Sequence, residues 1–281
     1  MAFILTYVYM RMTMTQATEK ISNLDSGQIV TFLLDWWREN GVEVLEAPRA
    51  SAQQTPNPVT KAENIARPSA ASIINPNNAV DEAKEIAKSA NSLAELAQKL
   101  KTFENFHLVK TASQMVFCDG IETAEIMVIG EAPGREEDEQ GKPFVGQAGQ
   151  LLDAMLGSIG LSRKTNFYLT NTINWRPPGN RTPTKDEIAI SLPIIKKHIE
   201  LKAPKFIILV GGVAASSILE KSDGITKLRK NAHKYILDNG TEIPTYCIYH
   251  PAFLLRRPEQ KQDTWRDLLA IKNVLSQMGL S

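Results

Sequence analysis

The chain has 281 residues, 43% of them hydrophobic, and its 32 lysines and arginines nearly balance 31 aspartates and glutamates for a net charge of +1. No apolar run reaches the roughly 18 residues that would suggest a membrane span. Two cysteines, Cys118 and Cys247, are too few for a disulfide scaffold and too few to hold a metal or cluster alone, so they suit a reducing compartment such as the cytoplasm.

The first sixteen residues, MAFILTYVYMRMTMTQ, are apolar but have neither a charged leading segment nor a small-residue cleavage site, so they do not read as a signal peptide; Met10, Met12 and Met14 offer later starts. Within residues 1–46 one helix is expected, capped by Ser26, striped by Ile29, Phe32, Leu33, Trp36 and Trp37, and ended by Gly41. Its two tryptophans are suited either to plain packing or to a protein partner. Residues 47–80 are rich in Ala, Pro, Ser, Asn and Gln without a period, the composition of a disordered linker. A helix is then expected from Val80 to about Lys101, burying Ala87, Leu93, Leu96, Ala97 and Leu100.

Residues 81–281 read as one α/β domain. Strands are expected at Ala124–Ile129, Asn166–Asn171, Phe206–Val210 and Ile243–Tyr249, and helices at Gln150–Ile159, Lys185–Lys202, Gly212–Glu220 and Thr264–Gln277. That alternation predicts a three-layer α/β/α fold around a mostly parallel four-stranded sheet, with the helical and disordered N-terminal extension outside it. The loops after Ile129, Leu169, Val210 and Tyr249 would then share one sheet edge, where open α/β sheets bind ligands. Charge is uneven as well. Residues 1–126 carry 11 basic and 15 acidic side chains and residues 127–281 carry 21 and 16, which is compatible with nucleic acid without requiring it.

The stretch Ile126–Leu152 organises this domain. Four apolar residues, Ile126 to Ile129, run into Gly130-Glu131-Ala132-Pro133-Gly134; an acidic run and Gly141-Lys142-Pro143 then deliver Phe144 into a small-residue segment. Six residues separate Gly134 from Gly141 and Pro143 follows Lys142, which excludes a phosphate-binding G-x4-G-K-[ST] loop; the dinucleotide spacing G-x-G-x-x-G is also missing. On the local pattern alone, a ligand loop and a merely structural loop both remain open. After the second strand, Asn171 offers an amide suited to reading a polar base edge, or else a turn residue bonded to its own backbone. Arg176 and Arg181 flank a Pro-Pro-Gly turn. After the fourth strand comes His250-Pro251-Ala252-Phe253-Leu254-Leu255-Arg256, where arginines next to an apolar wedge suit a protein that inserts a side chain into a nucleic-acid stack.

Taken together, the motifs Gly130-Glu131-Ala132-Pro133-Gly134 with Gly141-Lys142-Pro143-Phe144-Val145-Gly146, Asn171 ahead of Arg176-Pro177-Pro178-Gly179-Asn180-Arg181, and His250 to Arg256 resemble a uracil-DNA glycosylase of family 4, the branch that normally holds a [4Fe-4S] cluster. The resemblance runs from about Phe103 to the C-terminus. It implies that Phe144 stacks on a flipped uracil, that Asn171 reads its polar edge, that Gly130 and Ala132 border the base, and that His250 stabilises charge on the uracil O2. It further implies catalytic roles for Glu131 and Glu137 near the sugar and attacking water, insertion of Leu254 and Leu255 into the gap left by the base, and DNA contacts from Arg176, Arg181 and Arg256.

The departure from the family lies at its four cluster cysteines. By spacing those positions hold Phe103, Phe106, Trp175 and Ser191, none of them a thiolate, so no cluster and no other cofactor is expected. Three of the four are aromatic, and a hydrophobic plug in the same volume is the expected replacement. The function this resemblance implies is a monofunctional, monomeric uracil-DNA glycosylase that starts base-excision repair. The alternatives are a non-catalytic DNA- or protein-binding relic of the fold and a glycosylase for another deaminated base.

Overall fold

A computed structural model describes residues 76–280. The helix expected within residues 1–46 and the linker up to residue 75 lie outside the described residues.

Helix α1 (Pro76–Ser89) begins before Val80, so the last residues assigned to the linker are helical instead. The single helix expected up to Lys101 is two: α1 stops, and α2 (Leu93–Leu100) starts anew. The cause is a local contest for backbone donors. Ser92 Oγ accepts from Glu95 N (3.2 Å), while a Glu95 carboxylate oxygen accepts from Asn91 N (2.8 Å), so a capping signature of the Ser-x-x-Glu type opens a new helix in the middle of a continuous apolar period. A short helix α3 (His107–Thr111) follows.

The sheet has six strands, not four. Four of them are parallel and central: β2 (Ile126–Gly130), β3 (Phe167–Asn171), β4 (Phe206–Val210) and β6 (Glu242–Ile248). Two short antiparallel strands, β1 (Asp119–Gly120) beside β3 and β5 (His233–Ile236) beside β6, close the edges in the order β1-β3-β2-β4-β6-β5. These edge strands lack the apolar runs by which buried strands are recognised; β5 buries only Tyr235, with Lys234 and Ile236 exposed on either side of it, and returns through the turn at Asp238-Asn239-Gly240.

Side-chain alternation along the central strands sorts the core onto two faces. Ile126, Val128, Leu169, Ile208, Val210 and Ile248 meet Leu152 and Leu156 of α5 (Gln147–Gly157) and Leu268, Ile271 and Leu275 of α10 (Lys261–Gln277). Met127, Ile129, Tyr168, Ile207, Leu209 and Cys247 meet Ile195 and Ile199 of α6 (Lys185–Lys202) and Ala215 and Ile218 of α7 (Gly212–Leu219). This is the three-layer arrangement. Between α5 and β3 lies no helix, and between β4 and β6 a short α8 (Ile225–Leu228) precedes the edge hairpin. A third apolar cluster joins α1 and α2 to the outer side of α6.

Register places the site. Gly130 pairs with Asn171 across β2 and β3, and Val210 pairs with Ile248 across β4 and β6, so the ends of the parallel strands are level. The chain leaves β2 toward one side of the sheet and β4 toward the other. The crevice at such a reversal is where sheets of this kind hold ligands.

Candidate active site

Three loops and two short helices meet over that strand edge and enclose a pocket of about 440 Å³. Its first wall is the segment after β2. Helix α4 (Arg135–Gln140) starts at Gly134, and Glu137 reaches back with both carboxylate oxygens: one accepts from Gly134 N (3.0 Å), the other from Val145 N and Gly146 N (2.9 Å each). Glu137 borders the pocket, but its lone pairs are committed to three backbone amides. Glu137 thus lines the pocket and at the same time braces the loop. Asp138, also buried, ties the same helix to Ser113 N (2.8 Å) and Gln114 N (3.3 Å). Glu131 remains, half-buried on the pocket wall beside Ala132, and burial holds its carboxyl above the usual glutamate range.

Phe144 and Asn171 form the floor and back of the pocket, both buried. They approach each other only because residue 130 is glycine: a Cβ there would overlap both Asn171 Oδ1 and the Phe144 ring. Asn171 ends β3, and the loop beyond it is held by Thr172, whose backbone N and Oγ1 both donate to the Gly130 carbonyl (2.8 and 2.9 Å). Asn171 Oδ1 is buried without a hydrogen-bond partner. An orphaned acceptor at the back of a pocket costs about 1–3 kcal/mol unless a ligand supplies the donor.

His250 closes the opposite side. It is the N-cap of α9 (Pro251–Arg256), and its Nδ1 accepts from Ala252 N (3.2 Å). That bond leaves Nδ1 without a proton and puts the proton of the neutral ring on Nε2. Burial, with a smaller push from Arg256, lowers the His250 pKa to about 4, so the imidazole is a neutral donor. Its ring centroid lies 5.7 Å from that of Phe144. Tyr249, just before it, is packed between Phe253 (5.0 Å between centroids) and the Arg229 guanidinium (4.9 Å), which is itself bonded to Asp267 (2.7 Å).

The expected DNA contacts divide. Arg181 and Arg256 line the mouth of the pocket, with Arg135 added to them. Arg181 is steadied by a two-bond contact to buried Glu187 (2.6 and 2.8 Å), which also receives His107 Nε2 at 2.7 Å. Burial would raise the Glu187 carboxyl, yet Arg181, the Thr184 amide and His107 outweigh it and hold it at about 2. Arg176 is turned into its own loop, donating to Asn180 Oδ1 (2.7 Å) with Asp138 3.8 Å away, and does not line the pocket. Leu254 and Leu255 differ: Leu254 is 1% exposed in the core, whereas Leu255 is 37% exposed. Neighbours on a helix point about 100° apart, which lets α9 turn one of the pair into the core and the other outward.

The residues at the family's cluster positions do not fit an iron–sulfur cluster. Phe103, Phe106 and Trp175 are buried against one another, with ring centroids 5.6 to 5.9 Å apart, and Ser191 is buried on α6 next to Ile190 of the same apolar layer. Ring carbons supply no ligand. Among the described residues no group of three or more His, Cys, Asp or Glu side chains could hold a metal ion. The aromatic trio fills the layer behind Ile173 and the loop that follows Asn171.

Several residues of this arrangement escaped the sequence reading. Thr172 had no signal beyond its place next to Asn171, and Arg163, which bonds to the Phe144 carbonyl, lies in a turn far from every motif. Glu187 did carry a signal, the Thr-x-x-Glu spacing of a capping box at the start of α6.

Comparison with known proteins supplies independent findings. A family model for the uracil DNA glycosylase superfamily matches residues 118–269. The chain is 37% identical over 183 residues to a type-4 uracil-DNA glycosylase of Archaeoglobus fulgidus, covering 64% of this chain and 92% of that protein. It is 36% identical to the type-4 enzyme of Saccharolobus solfataricus over 186 residues (64% and 85%) and 36% identical to that of Thermotoga maritima over 176 residues (62% and 88%).

Proposed function

The chain belongs to the uracil DNA glycosylase superfamily, and from that premise we propose that its pocket takes a uracil flipped out of DNA and hydrolyses the bond joining it to deoxyribose. The observation that carries this reading is the unpartnered Asn171 Oδ1. Uracil presents an N3–H donor there, whereas the N3 of cytosine is an acceptor, so the same atom that welcomes uracil rejects the normal base.

The C1′–N1 bond breaks heterolytically; the electron pair goes to N1 and spreads onto O2 and O4, and water adds to C1′ to leave an abasic site. His250, neutral with its proton on Nε2, donates to O2 as charge builds there without having to be deprotonated first. Phe144 offers a face for stacking. The Glu131 carboxylate, raised by burial and without a hydrogen bond among the described residues, is assigned the attacking water and its proton. Among the described residues no lysine lines the pocket, which supports a monofunctional hydrolase. The enzyme acts on DNA as the first step of base-excision repair and works without a cluster, three of its four cluster positions being aromatic rings packed on one another.

A monomer is proposed as the working form, with every residue given a role here supplied by one chain. The domain is taken as residues 81–281 with α1 reaching back to Pro76, and the tryptophan-bearing segment within residues 1–46 is offered to a protein partner. No described helix is long and apolar enough to cross a membrane, and the free thiols of Cys118 and Cys247 suit a reducing cytoplasm.

The test is incubation with oligonucleotides carrying uracil, hypoxanthine or a thymine mismatch, followed by alkaline cleavage of abasic sites. Cleavage at uracil is expected, with Asn171→Ala and His250→Ala each lowering the single-turnover rate by about 10²–10³. No cleavage of any substrate rejects an enzyme; cleavage confined to hypoxanthine moves the activity to another deaminated base.

A further inference from the structure

Phe144 sits in a conformation that a bulky residue avoids. Its φ is 53°, in the left-handed region, where an L-residue other than Gly, Asn or Asp is uncommon and strained. Such strain persists only where the surroundings over-determine it. Around Phe144 they do. Arg163, in the turn before β3, sends Nη2 to the Phe144 carbonyl (2.8 Å) and Nη1 to the Pro143 carbonyl (3.0 Å). The guanidinium is held in turn by Asp119 (Nη1 to Oδ2, 3.0 Å) and Asp153 (Nε to Oδ1, 2.9 Å). From the other side, the missing side chain of Gly149 lets α5 press on the same carbonyl, since a Cβ there would overlap it.

We propose that Arg163 is a positioning residue for base recognition: with Asp119 and Asp153 it clamps two consecutive carbonyls and presets the Phe144 ring as the platform for the flipped base. This rests on Phe144 being that platform. A guanidinium is suited to the task because its planar fork of five donors satisfies two backbone acceptors and two carboxylates at once; an ammonium has three donors and no fixed plane. Arg163 touches neither the pocket nor the reacting atoms. It acts only through the backbone of residues 143 and 144, at the junction of β1, α5 and the turn before β3, so three further elements set the platform together with the Glu137 brace of its own loop.

A double-mutant cycle tests this. Single-turnover rates on a uracil oligonucleotide are compared for the wild-type chain, Arg163→Ala, Phe144→Ala and the double variant, with thermal melting alongside. Arg163→Ala is expected to slow cleavage by about 10- to 100-fold, the scale of a misplaced binding group, and to add less than about twofold once Phe144 is already alanine. Arg163→Lys, which keeps the charge between the two aspartates, is expected to melt close to the wild type and still cleave more slowly, and it carries the cycle if Arg163→Ala does not fold. Rates that multiply in the double variant, or a wild-type rate in a folded Arg163 variant, overturn the clamp while leaving the glycosylase reading intact. A wild-type chain inert toward uracil fails that reading instead.

Discussion

Asn171 and His250 are prepared for their parts in opposite ways. Asn171 holds a buried acceptor with no hydrogen-bond partner, which the N3–H of the proposed uracil would satisfy. His250 holds a donor whose tautomer is set by one backbone bond, Ala252 N to Nδ1, and whose charge is suppressed by burial. The expected outcome is that His250 stays neutral and protonated on Nε2 down to about pH 5, visible in the nitrogen chemical shifts of the assigned imidazole; a midpoint near the ordinary 6.5 would show the ring to be solvated and the argument from burial wrong. Residue types at this scale were legible because motif spacing puts Glu131, Asn171 and His250 at strand ends and Phe144 between the two helices that follow β2. Commitments were not. Glu131 and Glu137 are both acids of one loop, and only the hydrogen bonds of Glu137 to Gly134, Val145 and Gly146 reveal which is occupied and which is free.

Two elements separate roles that are adjacent in sequence. Helix α9 turns Leu254 inward and Leu255 outward. Leu254→Ala is expected to destabilise the fold by about 2–5 kcal/mol in urea unfolding, the cost of a cavity in a closed core. Leu255→Ala is expected to leave stability nearly unchanged and to slow cleavage of uracil in duplex DNA more than in single strands, because only a duplex leaves a gap to fill. Equal losses on both substrates would rule out a wedge. The aromatic layer formed by Phe103, Phe106 and Trp175 is an element of its own, spanning the α2–α3 connection and the loop after β3. Each ring of that kind buries about 150–250 Å². Trp175→Ala is expected to cost about 3–5 kcal/mol and lower the melting temperature of the full chain, whose purified form should carry far less than one cluster's worth of iron; stoichiometric iron would contradict the packing seen here. The family resemblance implies which residues stand at the cysteine positions. That the rings meet needed the fold, since Phe103 and Trp175 are distant along the chain.

For the molecule as a whole, the buried histidines make stability depend on pH. His198, fully buried against Phe117 and bonded to the Tyr168 hydroxyl (2.7 Å), is lowered to about 3, first by burial and then by Lys202; His250 is lowered to about 4. Both are neutral in the fold and titrate near 6.5 when unfolded, so below 6.5 the unfolded chain binds protons that the fold refuses. Stability is therefore expected to be fully present above about pH 6.5 and to decline as pH falls toward 4, with the Glu187 contribution lost further down as its carboxylate, held at about 2, is protonated. Urea midpoints at pH 7.5 and pH 5.0 check this; a midpoint that is equal or higher at pH 5.0 goes against it.

Alternating strands and helices, apolar in the right periods, were enough to place the four parallel strands and α6 to within a residue or two, because burial on both faces of a sheet leaves continuous apolar runs that a linear reading detects. The edge strands β1 and β5 carry no such run; their pairing is decided by the backbone donors their neighbours leave open. The same division holds at the pocket. The sequence by itself determined which chemical groups arrive at the strand ends. Tertiary structure alone decided which of them are free to act, because a side chain's remaining hydrogen-bonding capacity depends on partners such as Arg163, Thr172 and the loop amides around Glu137, which lie at separations no local pattern encodes.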